Sequence, residues 1–284
     1  MFLKTMRYKF LLLLPLLFAV SCNRVPAPVG CALSGHEDHT DYATVAINAE
    51  FPIGGSPVEA AIRDTLLSRM YGQWSHVGIS DASDSIMPRY SGDFGGGMEP
   101  VIYYTRSILG YLSALSAEDH AASGRADIVP WEYRSHLNVA FDTDNFIVFH
   151  DECYFYMGGA HGGVAGNGYM TFDKRTGALF TDFLKPGAVQ DLQPLIIEGI
   201  QSYYASCGEP LGEQELRDRL FLDGDLIPLP SDLPGPAADG LHFVYQQYEI
   251  ACYADGMVSF TIPYDRIEPY LTPAAKQLLG IGRL

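Results

Sequence analysis

Residues 131–156 read WEYRSHLNVAFDTDNFIVFHDECYFY, and the period of that stretch decides the fold. Tyr133, Leu137, Val139 and Phe141 alternate with Glu132, Arg134, His136 and Asn138, which is how a strand with one buried face is written. The turn-forming Asp142-Thr143-Asp144-Asn145 then leads into a second apolar run, Phe146 to Tyr156. A four-residue loop would set Phe141 opposite Phe146, Val139 opposite Val148 and Tyr133 opposite Tyr154, apolar against apolar as a buried face requires. The same register predicts His150 and Glu152 on the core-facing side, near Leu137 and Ser135.

Working outward, further strands are expected at Tyr169 to Asp173 and Ala178 to Phe183, joined by the turn Lys174-Arg175-Thr176-Gly177. Helices are expected around Asp191 to Tyr204 and Gly212 to Phe221, then strands near Leu241 to Gln247 and Met257 to Ile262. Upstream, Ala43 to Ala49 alternates like a strand. Ser56-Pro57-Val58-Glu59 has the form of a capping box, followed by Val58, Ile62, Leu66 and Met70 on one helical face and a stop at Gly72. Gly92 to Gly97 reads as a flexible loop, and a second helix runs from about Glu99 to Ala121, with Ile102, Ile108, Leu109, Leu112 and Leu115 as its apolar residues. Strands and helices in such blocks predict an α+β fold, helices packed on a mainly antiparallel sheet.

The 284 residues carry 18 Lys and Arg against 34 Asp and Glu, a formal net charge of -16. That excess of acid argues against nucleic-acid binding, which needs clustered cations. At the N-terminus, Lys4, Arg7 and Lys9 precede the apolar run Phe10 to Val20, and Ala19-Val20-Ser21 leads into Cys22, the pattern of a bacterial lipoprotein signal with Cys22 as the lipidated residue. The run is too short for a spanning helix, which takes roughly 20 apolar residues. Cleavage before Cys22 would leave 15 basic residues against 34 acids, a charge of -19. The expected organisation is a signal peptide over 1–21, a tether over 22–40, a smaller α+β domain over 41–130 and a C-terminal domain over 131–284. The tether's run His36-Glu37-Asp38-His39 reads as solvated linker in preference to a metal site. Export permits disulfides, and Cys207 with Cys252 is the first pair to test. No CxxC or Cys/His spacing, HExxH, Gly-x-Ser-x-Gly or phosphate-binding glycine loop occurs, so neither a metal nor a cofactor is expected.

The stretch Tyr156-Met157-Gly158-Gly159-Ala160-His161-Gly162-Gly163, with Thr171-Phe172-Asp173 and Thr176-Gly177, resembles the motifs of the RsiV-like ectodomain family. Phe243-Val244-Tyr245, Tyr248-Glu249-Ile250, Tyr253-Ala254-Asp255-Gly256 and Ile262-Pro263-Tyr264 are similar to that family's closing motif. The resemblance spans nearly all of the expected mature chain and implies an α+β domain outside the bacterial membrane. Such domains sense lysozyme in certain anti-sigma factors and accompany a peptidoglycan deacetylase domain in other proteins. Here no transmembrane helix with a sigma-binding segment is expected, and Gly162-Gly163 makes the loop more flexible than the family's usual sequence.

Two functions follow as expectations. The first is a non-catalytic envelope lipoprotein, anchored to a membrane and facing periplasm or exterior. It would bind lysozyme, another cationic protein or a cell-wall glycan through His161, Tyr248 and Tyr253. The second is a small envelope hydrolase acting on peptidoglycan or a glycan, with His161 and Glu152, and His150 beside them, as acid/base residues. A turn-fixing role for His161 and a core role for His150, satisfied by a neighbouring carboxylate, are the plainer readings.

Overall fold

The computed structural model describes residues 26–77, 85–124, 126–159 and 163–282. The expected signal peptide and Cys22 lie outside them, as does His161. The described residues open with two antiparallel strands, β1 (Cys31–His39) and β2 (Ala43–Pro52). The expected tether is thus corrected: most of it is an edge strand, registered from Cys31 opposite Pro52 to His39 opposite Thr44. A polar run suits such an edge, because one side of the strand faces water. Alternation sends His36 and Asp38 to one face and Glu37 and His39 to the other.

Two helices follow. In α1 (Pro57–Trp74), the Ser56 hydroxyl accepts from the Glu59 amide and the Glu59 carboxylate accepts from Ser56, as the capping box predicts. Ile62, Leu66, Met70 and Trp74 are buried on one face, and the helix passes Gly72 by two residues. A tight turn at Gly95–Gly97 starts α2 (Met98–Ser123), which buries Val101, Tyr104, Ile108, Leu109 and Leu112. The hairpin β3 (Trp131–Asp142) and β4 (Phe146–Tyr156) comes next, then β5 (Val164–Asp173), giving a five-stranded sheet ordered β1-β2-β3-β4-β5. Only β2 and β3 are parallel within it.

The hairpin forms in a different register from the expected one. Val139 faces Phe149, Phe141 faces Val148 and Tyr133 faces Phe155, with a bulge between Val139 and Phe141. The backbone of β2 pairs β3 only as far as Ala49 opposite Leu137, and the Glu50 carboxylate accepts the Val139 N–H at 2.6 Å. A side chain thus takes a ladder bond beside the bulge, and the shift turns the following residues over. His150 and Glu152 therefore face away from α1 and α2, beside Asn138 and His136, which corrects their expected core-facing placement. Asp151 faces the helices instead.

The remainder is a second α/β assembly. Helix α3 (Ala188–Ser206) and α4 (Glu213–Arg219) precede β6 (Gly235–Pro236), β7 (Gly240–Val244) and β8 (Ser259–Pro263), an antiparallel sheet in that order. Short helices α5 (Tyr264–Ile267) and α6 (Pro273–Leu279) close the chain. The expected strand at 178–183 reduces to one bridge, Phe172 with Leu179. One core packs α1 and α2 on the large sheet, and another packs α3 on the small one. The large sheet runs through the expected division at 130 and 131; the two cores part between Phe172 and Phe183. Leu278 joins them by packing on Phe146 and Val148. The fold is α+β, six helices among the described residues on two mainly antiparallel sheets. No described helix is long and apolar enough to cross a membrane.

Candidate functional site

Strand β5 ends the large sheet, so alternate N–H and C=O groups along it need partners other than a sixth strand. Two side chains supply them. Gln247 accepts the Ala165 N–H (2.8 Å), and Gln246 accepts the Asn167 N–H (3.1 Å) while donating back to the Asn167 carbonyl (2.5 Å). Gln246 also donates to Asp232 (3.0 Å), and the Glu249 carboxylate holds the loop by accepting from the amides of Gln246 and Ser231. Nothing in the spacing of Gln246-Gln247 announces this; its only trace is their position beside Tyr248-Glu249-Ile250.

The segment so fixed presents aromatic surface. Tyr248 is 62% exposed, and its φ of 66° is unique among the described non-glycine residues. For an aromatic residue that conformation is strained, and such strain collects at binding sites. Its ring lies 5.9 Å from that of Tyr253, whose hydroxyl donates to the Gly163 carbonyl at 2.6 Å. Two of the three expected binding residues are therefore neighbours, beside the chain that continues from the segment containing His161.

Of the expected acid/base group, His150 and Glu152 are described, and they do not line a common cleft. His150 Nε2 bonds Asn167 Oδ1 at 2.8 Å, and its ring stacks on Tyr169 with centroids 4.8 Å apart. Asn167, not a carboxylate, satisfies it. Tyr169 meets His242 edge-on, and burial, then the neighbouring His150, holds the His242 imidazole below its ordinary pKa. Glu152 is exposed and opens on a cleft of ≈ 230 Å³ shared with Arg134, His136 and Met257, which His150 does not line. No described group of three or more His, Cys, Asp or Glu is placed to hold a metal.

One polar cluster was not foreseen. Asp151 is 9% exposed between β4 and α1, and burial raises its pKa to about 6 against the charge of Arg69. Asp151 Oδ1, Gln73 Oε1 and the Tyr133 hydroxyl have no hydrogen-bond partner among the described residues. Arg69 in turn reaches Asp232 at 3.6 Å. Its signal in the sequence is the acid pair Asp151-Glu152 inside an apolar strand, and the one-residue difference in register hid which of the two faced the helices.

In the second core, Arg219 pairs with the Asp255 carboxylate, bonds Glu209 at 2.6 Å and lies over the Tyr204 ring. Cys252 Sγ donates to Asp255 at 3.2 Å. Cys31, Cys153, Cys207 and Cys252 are all free thiols, so the expected Cys207–Cys252 disulfide is corrected. Cys31 is inert, its thiol pushed up to about 12 chiefly by burial.

Residues 181–265 match a family described as a protein of unknown function, DUF3298. That segment holds most of the second core. A crystal structure of a DUF3298 family member from Bacteroides fragilis is similar over 90% of this chain and 99% of its own, with a TM-score of 0.62 and 17% identity. A DUF3298 family protein from Pseudomonas aeruginosa is similar over 88% and 96%, with a TM-score of 0.54 and 14% identity. No curated protein matches in sequence. The chain thus has a segment like DUF3298 and shares its fold with solved DUF3298 proteins.

Proposed function

We propose that this is a lipid-anchored envelope protein whose body binds a cationic protein partner without catalysing a reaction, in the manner of RsiV-like ectodomains. The observation that carries the reading is Tyr248, held exposed in a strained conformation against Tyr253 by the Gln246–Glu249 network. A strained, pre-positioned aromatic costs stability and is useful where it meets a partner, since rigid rings give contact area at low entropic cost. The charge of -16, more negative still without the signal, would steer a cationic protein to it. Lysozyme is the partner the family resemblance favours.

The test is calorimetric titration of the mature chain with lysozyme at about 20 mM and about 150 mM salt, which differ in screening. Binding that weakens with salt, and falls about tenfold or more in Tyr248→Ala, supports the reading. No binding at low salt removes lysozyme, and binding of peptidoglycan fragments in its place makes the partner a glycan. Labelling of cells with a palmitate analogue, lost in Cys22→Ala, tests the anchor.

A further inference from the structure

Strand β8 is the outer edge of the small sheet, and the parity of its hydrogen bonds is fixed by one contact. The Tyr245 N–H donates to the Val258 carbonyl at 2.9 Å, in register with the β7–β8 ladder. In an antiparallel pair such bonds recur every second residue, so Val258, Phe260 and Ile262 turn their backbone groups to β7. Ser259 and Thr261 turn theirs away, and no hydrogen bond reaches those groups among the described residues. Pro263, of the same parity, has no N–H and ends the edge.

Helix α3 runs beside this edge. Leu195, Gly199, Ser202 and Ser206 lie on one face of it, and with Ser259 and Thr261 they bound a cleft of ≈ 500 Å³. Gly199 is required by the floor: a Cβ there would stand 2.4 Å from the Phe260 ring. The charges at the cleft's end, Glu198 and Arg266, neutralise each other through bonds of 2.6 and 2.7 Å.

We propose that this cleft takes an extended, uncharged peptide segment of a partner protein as a fourth strand on β8. The outward N–H and C=O groups of Ser259 and Thr261 recognise main chain, which any sequence supplies in extended form. The pairing of Glu198 with Arg266 leaves no free charge in the lining, so the segment is neutral there. Five residues of edge span roughly 17 Å, a peptide's length. They offer far less than the roughly 800 Å² per partner of a stable interface, which disfavours a second copy of this chain. The surface lies apart from Tyr248 and does not depend on the binding proposed there.

The experiment selects phage-displayed random octapeptides on the mature chain, then measures the enriched synthetic peptides by fluorescence anisotropy and amide hydrogen exchange. The expected peptides are uncharged, bind at micromolar affinity or better, and protect the amides of Ser259 and Thr261 about tenfold or more. Thr261→Pro removes an outward donor without touching the β7 ladder and should weaken binding about tenfold or more. Thr261→Val, which keeps the N–H, should bind as the wild type does. Ser202→Trp blocks the cleft from the helix side and should abolish binding even if the proline variant fails to fold. Peptides that bind Ser202→Trp unchanged, an absence of enrichment, or a concentration-dependent dimer lost in Thr261→Pro would each overturn the proposal.

Discussion

Each of the two cores buries one aspartate, and the two are handled in opposite ways. Asp255, its carboxylate 1% exposed, is ringed by Arg219, Cys252 and the Tyr204 ring system. Burial works to raise its pKa, but the bonds from Arg219 and Cys252 overcome that and hold it below the ordinary range. Asp151 has the charge of Arg69 and the Gln73 side chain on its favourable side, but one oxygen has no partner, so burial wins and its pKa rises to about 6. The difference teaches that burial alone does not set a carboxylate's charge; the donors placed around it do. The first core makes its acid weaker than an ordinary carboxyl, and the second makes its acid stronger.

Removing the donor from the paired acid gives the largest expected effect. Arg219→Met leaves the Asp255 carboxylate buried with only a thiol, and should cost about 2–4 kcal/mol, less than a fully buried pair because Arg219 is partly exposed. Adding Asp255→Asn to it should recover part of that loss. Urea denaturation followed by far-UV circular dichroism measures both. The chain's two tryptophans, Trp74 and Trp131, both belong to the first core, so their fluorescence reports that core alone. Coincident shifts of the two signals would show one cooperative unit; a shift in dichroism with unmoved fluorescence would show two.

Asp151 predicts the reverse sign. Because folding raises the pKa of Asp151 from 3.8 to about 6, the folded state binds the extra proton between those values. Stability should therefore fall as pH rises from about 4 to about 6 and be level above, a loss on the order of 1–3 kcal/mol. For Asp255 the sign is opposite: its contribution is present above the ordinary carboxylate pKa and is lost as pH falls through the lower folded value. Asp151→Asn should stabilise the protein at pH 7 by about the same 1–3 kcal/mol and leave it unchanged near pH 4. Thermal unfolding across that range decides it: a slope that survives in Asp151→Asn assigns the titration elsewhere.

What the sequence revealed follows the same division between local and long-range causes. The Ser56–Glu59 box, the stripe Ile62, Leu66 and Met70, and the strand from Ala43 are set by residues three or four apart or by strict alternation, and all were legible. The Val139–Phe141 bulge was not, because the Glu50 carboxylate that takes the Val139 amide comes from 89 residues away. Strand β1 was hidden by polarity that an edge tolerates, and the start of β5 by Gly166 and Gly168. Of the candidate site, Tyr248 and Tyr253 were named from residue type and resemblance. Their fixing by Gln246 and the burial of Asp151 against α1 depend on tertiary partners that no spacing records.

A smaller effect tests whether the first core's acid depends on how well α1 is held. Ser56→Ala removes one half of the capping box and should cost about 1 kcal/mol. Since α1 carries Arg69 and Gln73, the pH slope from Asp151 should persist at lower overall stability. A flattened slope would mean that the loosened helix admits water to the carboxylate.

The smallest effect returns to strain in the second core's loop, which has no counterpart among the described residues of the first. At a φ of 66°, Tyr248 pays the left-handed penalty of about 1–2 kcal/mol, and glycine avoids it at an entropic cost of about 0.5–1 kcal/mol. Tyr248→Gly and Tyr248→Ala both lose the contact with Tyr253, so that term cancels between them. The glycine variant should then be the more stable by about 0.5–1 kcal/mol, the reverse of the order at an ordinary exposed position. Both should lose partner binding equally if the ring makes the contact. Equal stability of the two variants would mean that the loop relaxes once the ring is gone, and that the strain belongs to the Tyr248–Tyr253 pairing and not to the backbone held by Gln246 and Glu249.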